Sequence, residues 1–101
     1  MSKENAREFI NKLFYDDEFA VKAIKTVGAE TLLKYSGSAK ATEEHQNEVQ
    51  TEMGNNMGYE FTTEEYKAAT TDWVKETGAF ESIKKGIHMS GLAKKVKKGK
   101  H

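Results

Sequence analysis

Gly58-Tyr59-Glu60-Phe61-Thr62-Thr63-Glu64-Glu65-Tyr66-Lys67-Ala68-Ala69 is the stretch that decides the fold. Thr62 stands at the position of a helix N-cap, Glu65 follows three residues later, and Phe61 and Tyr66 flank the pair. A threonine hydroxyl there can accept from the Glu65 backbone while the glutamate reaches back to the threonine N–H, and the two rings can close a hydrophobic staple. The spacing predicts a helix after Thr62 with the stripe Tyr66, Ala69, Trp73 and Val74, ended by Gly78. Immediately upstream, Gly54-Asn55-Asn56-Met57-Gly58 reads as a turn cluster.

Toward the N-terminus the same logic gives two more helices. Ser2 can cap a helix whose apolar residues Ala6, Phe9, Ile10, Leu13 and Phe14 form one stripe. Tyr15-Asp16-Asp17 breaks that pattern and supplies a new cap. Phe19, Ala20, Ala23, Ile24 and Val27 then form a second stripe, ended by Gly28. A break this short makes the two helices a corner or hairpin. Residues 29–35 add a helical turn or two, with Leu32 and Leu33 apolar. Ser36-Gly37-Ser38-Ala39-Lys40-Ala41 reads as a flexible joint. Thr42 can cap a polar helix over residues 43–53, whose large apolar members are Val49 and Met53.

Beyond Gly78 come Phe80 and Ile83, then glycines at 86, 91 and 99. From Ser90 onward, Leu92 and Val96 among lysines suggest no more than a frayed basic helix. No internal repeat and no alternating run of strand type is present. The expected fold class is all-α: a small bundle of three to five short helices with a flexible basic C-terminal tail.

Composition narrows the function. The chain has 101 residues, 16 basic and 16 acidic side chains, and neither Cys nor Pro. One domain is expected, and at this length only about two-thirds of the unfolded surface is buried on folding. The lack of cysteine removes disulfides, thiolate metal sites and a cysteine nucleophile, and fits a reducing, cytoplasmic setting. No stretch approaches the ~20 apolar residues that span a bilayer, and the charged opening predicts no secretory signal. Charge is divided sharply: residues 1–82 carry all 16 acids and 9 bases, net −7, whereas residues 83–101 carry 7 lysines and no acid. Two regions are therefore expected, an acidic helical recognition domain over 1–78 and a basic tail over 79–101.

No catalytic constellation emerges. His45, His88 and His101 show no ligand spacing and read as solvated. Asp16, Asp17 and Glu18 read as helix-capping acids rather than a cation site. The Gly54–Gly58 cluster lacks the Lys and Ser/Thr of a phosphate loop. No metal, no cofactor and no enzymatic activity are expected. Leu, Ile, Val and Phe total only 18 residues, so an apolar stripe completed by a partner, or by a second copy, is a reading the composition invites. Candidate anchors are Phe9, Ile10 and Leu13 on the first helix, or Phe61, Tyr66 and Trp73 around the third. The tail lysines Lys94, Lys95, Lys97, Lys98 and Lys100 could bind nucleic acid or an anionic membrane, or serve as a solubilising end.

The opening Met1-Ser2-Lys3-Glu4-Asn5-Ala6-Arg7-Glu8-Phe9-Ile10-Asn11-Lys12-Leu13, the following Asp16-Asp17-Glu18-Phe19 and, above all, the Met57–Ala69 run resemble the Nif-eleven type of leader-peptide domain over about residues 2–76. Proteins of that family are mostly bacterial, cytoplasmic precursors of ribosomally made, post-translationally modified peptides. The resemblance implies a substrate and carrier: a maturation enzyme grips the helical leader and alters a C-terminal core peptide, here residues 79–101, which a protease or transporter then handles. Without Cys, thioether rings are excluded; Ser82 and Ser90 are the only hydroxyl residues after Thr77, and no Tyr precedes Gly. The stretch 29–55 is longer than the family's usual loop and suggests an inserted helix. The alternative expectation is a stand-alone helical interaction module whose lysine-rich tail binds nucleic acid or anionic membrane.

Overall fold

Side-chain caps set the start of three helices, and the computed structural model describes residues 2–33 and 39–99. Helix α1, Lys3–Tyr15, starts where the Ser2 hydroxyl accepts from the Asn5 N–H at 3.0 Å. It buries Ala6, Phe9, Ile10, Leu13 and Phe14, all on one face. Asp16 in extended conformation ends α1 and caps α2, Asp17–Val27, by accepting from Phe19 N–H at 3.1 Å. One residue thus serves two helices and sets the corner. Gly28, at φ +90°, ends α2, and the short α3, Ala29–Leu33, follows at once.

Helix α4, Ala39–Asn56, is longer at both ends than the spacing predicts. Residues 36–38 of the expected joint lie outside the described residues, while 39–41 belong to α4. At the other end, helical structure continues through Gly54, Asn55 and Asn56, so the expected turn cluster shrinks to Met57 and Gly58, the latter at φ +92°. The physical reason is the seat that Gly54 offers: the Phe61 ring lies directly on its backbone. Tyr59 N–H then donates to the Gly54 carbonyl at 2.9 Å, which returns the chain toward α5.

Helix α5, Thr63–Thr77, carries the expected capping box: Glu65 N–H donates to Thr62 Oγ1 at 3.1 Å, and Thr62 N–H donates to Glu65 Oε1 at 2.9 Å. Phe61 and Tyr66 stack with centroids 6.0 Å apart, which completes the staple. Ser2 N–H and Asn5 Nδ2 both donate to the Glu60 carbonyl, fixing the start of α1 beside the start of α5. Along the same pair, Lys3 bonds Asp72 at 2.8 Å and Arg7 bonds Glu76. The ammonium beside it holds the Asp72 carboxyl below its usual range, and Lys3 is raised in return.

Gly78, at φ +96°, ends α5 and opens α6, Ala79–Lys97. The expected flexible tail is therefore corrected: most of residues 79–101 form one helix, because Met89, Leu92 and Ala93 recur on a single face and find a core to enter. The architecture is an all-α bundle, six helices among the described residues, measuring 33 × 30 × 21 Å. α1 packs on α5, α2 on α1 and α4, and α6 lies across α2, α3 and α5. Phe9 sits at the centre, touching the rings of Phe19, Tyr59 and Phe61, while Phe14 meets Trp73 at 5.0 Å. Full burial of a ring such as that of Phe9 contributes about 1.5–3 kcal/mol.

Candidate functional site

The residues that sequence reasoning offered as partner anchors are used inside the molecule. Phe9, Ile10, Leu13, Phe61, Tyr66 and Trp73 are all 2% exposed or less. They form the core itself, because α1 and α5 face each other and each completes the other's stripe. No outside partner is needed to cover them. Burial also pushes the Tyr66 phenol well above its usual range.

The apolar surface left in solvent lies elsewhere. At 3.6 residues per turn, α6 turns Met89, Leu92, Ala93 and the half-buried Val96 inward. The opposite side presents Phe80, 82% exposed, Ile83, 64%, and Ile87, 69%. The same outward line continues through Gly91, Lys94 and Lys98. A shallow groove of about 580 Å³ runs along it, lined by Ile83, Gly86, Ile87, Ser90, Gly91 and Lys94. Lys84, Lys95 and Lys97 are exposed beside it, so the face is apolar in its first half and cationic in its second.

Contacts on the inner side hold this helix in place. His88 Nε2 lies 2.7 Å from Asp17 Oδ1, and the Lys85 ammonium sits 4.3 Å from the centroid of the exposed Tyr15 ring. Between α2 and α6 a cleft of about 360 Å³ has Asp17, Glu18, Lys22 and Lys25 on one wall and His88 and Lys95 on the other. Asp16 caps α2, as its spacing indicates. His45 is not a solvated surface group: half-buried, its Nε2 lies 2.9 Å from the Thr31 carbonyl, so that nitrogen carries the proton. Gln46 Nε2 likewise donates to the Leu32 carbonyl at 2.7 Å, and together they satisfy two carbonyls in the last turn of α3. Lys94, Lys95, Lys97 and Lys98 are exposed on or just after α6, whereas Lys100 and His101 lie outside the described residues.

Sequence reasoning named Phe80 and Ile83 without giving them a role and did not single out Ile87. The signal was their spacing of three and four, out of phase with Met89, Leu92 and Val96. Two stripes on opposite sides of one helix cancel in any test for a single apolar face. Among the described residues, no three His, Cys, Asp or Glu side chains come together to hold a metal ion, and no helix is long and apolar enough to cross a membrane. Comparison of the chain with protein-family models, with curated proteins and with solved structures finds no match.

Proposed function

We propose that the chain is a recognition domain of the leader type, a substrate and carrier that a modifying enzyme holds while it acts on the C-terminal segment, residues 79–101. One observation carries this: three of the four large apolar side chains left exposed among the described residues, Phe80, Ile83 and Ile87, lie just past the segment that resembles the leader family. An enzyme that gripped this face would hold the segment it alters. The helical body supplies a rigid dock, and tethering keeps the segment near the active site at an effective concentration of roughly millimolar. The Gly58–Ala69 turn and capping box, the most specific part of the resemblance, would fix that body. A protease or transporter would act after modification. The test is mass spectrometry of the protein expressed in its native host. A mass shift confined to residues 79–101 is expected; an unshifted mass across those residues overturns it.

A second reading is favoured by the burial of Met89, Leu92 and Ala93. A segment destined for release would be a poor choice to close the core. On this reading the chain is a helical interaction module, not a catalyst, and α6 is its permanent docking element for an anionic partner.

A further inference from the structure

We propose that the outer face of α6 docks the intact chain onto an anionic membrane surface, with Phe80, Ile83 and Ile87 entering the headgroup boundary and the lysines meeting lipid phosphates. This deepens the interaction-module reading by naming its partner, and it does not depend on whether residues 79–101 are modified.

The face has the composition that such docking requires. Phe80, Ile83 and Ile87 form a ridge about 10 Å long at 1.5 Å per residue, and all three are more than half exposed although the rest of the core is closed. Among the described residues of α6 and its end, the charged side chains on this side are lysines: Lys84 beside the ridge, Lys94 and Lys98 on its continuation, Lys95 and Lys97 at the flanks. The one acid of α6, Glu81, is half-buried. A helix lying in a bilayer interface needs this combination: an apolar line that sinks a few ångströms, and long cationic side chains whose stems follow it while the ammonium groups reach the phosphates.

Shape and charge favour lipid over other anionic partners. The face belongs to one helix: Phe80, Ile83 and Ile87 stand out from it as a ridge, and the shallow groove beside them runs past Gly86, Ser90 and Gly91 to Lys94. A fluid headgroup layer can mould itself to such a ridge, whereas nucleic acid would engage the lysines and leave the three apolar side chains unused. The charge balance of the molecule favours approach by α6, since residues 1–82 carry a net charge of −7 while residues 83–101 carry seven lysines and no acid. At the edge nearest α2, Asp17 is bonded to His88, and Glu18 stands among Lys22, Lys25 and Lys95, so the rim is not a belt of acid.

The experiment is co-sedimentation of the full chain with vesicles of phosphatidylcholine alone and of phosphatidylcholine mixed with phosphatidylglycerol, over a range of salt concentrations. Binding is expected only to the mixed vesicles, falling steeply as salt rises. The double variant Ile83→Ser/Ile87→Ser, both at exposed positions, should keep its helical circular dichroism and bind about ten-fold more weakly or worse. Lys94→Gln and Lys98→Gln should each weaken binding about five-fold. No binding to mixed vesicles, equal binding to neutral ones, or binding unchanged in the isoleucine double variant would overturn the proposal. The last result, paired with equally tight retention of a DNA duplex, would assign the lysines to polyanions instead. An unshifted native mass together with intact vesicle binding would remove the leader reading and leave this one standing.

Discussion

A methyl group added at Gly54 would stand 2.1 and 2.4 Å from carbon atoms of the Phe61 ring. Glycine inside a helix ordinarily costs about 1 kcal/mol relative to alanine, so on propensity alone Gly54→Ala should stabilise α4. Contact decides otherwise, because Phe61 is buried between Phe9 and Tyr66 and has nowhere to retreat. Gly54→Ala should therefore destabilise the fold by about 1–3 kcal/mol, seen as a lower urea midpoint with an unchanged slope. Gly58 and Gly78 act differently: their φ angles of +92° and +96° are ones that side chains rarely adopt, and nothing lies near either. The capping residues Ser2, Asp16 and Thr62 were legible in the sequence because each bonds a backbone group three residues away. The Gly54 seat was not, since its meaning depends on a ring seven residues further on, brought back by a turn.

Among the elements, α6 separates what composition suggested from what packing does. Its run of lysines reads as a solvated tail, yet its inner face places Leu92 at 4% exposure beside Met89 and Ala93. Leu92→Ala should cost about 2–4 kcal/mol, measurable by thermal melting, while Ile87→Ala on the outer face should change stability by less than about 0.5 kcal/mol. A flexible tail would leave both variants alike. Removing residues 79–101 should uncover the faces of α2 and α3 and broaden the unfolding transition. α4 is the converse case. Its own sequence is polar and buries only Val49 and Met53 among its described side chains. It is held instead by Met53 in the core and by the bonds from His45 and Gln46 to the end of α3. Those bonds pair a side chain with a carbonyl fourteen residues earlier, so helical period alone gives no sign of them.

For the whole molecule, the closed core has a consequence at high pH. Tyr66 is neutral in the fold, and burial raises its phenol far above the ordinary value. The unfolded chain releases that proton near pH 10, so stability from this group is complete below about pH 10 and declines above it by about 1.4 kcal/mol per pH unit. Tyr66→Phe should flatten that decline, read from urea midpoints between about pH 9 and 11. The division of charge between residues 1–82 and 83–101 is a property of the sequence, and the fold sets the described lysines of the second region along α6 and its end. By itself the sequence determined the helical class and most of the helix boundaries. It also ruled out disulfide and thiolate chemistry, because caps, breaks and residue types act over a few positions. Only the tertiary structure decided which apolar stripes were closed and which stayed open. Burial is a relation between two surfaces: α1 and α5 found each other and withdrew Phe9 and Trp73, while Phe80, Ile83 and Ile87, not covered by any of the described residues, remained in water.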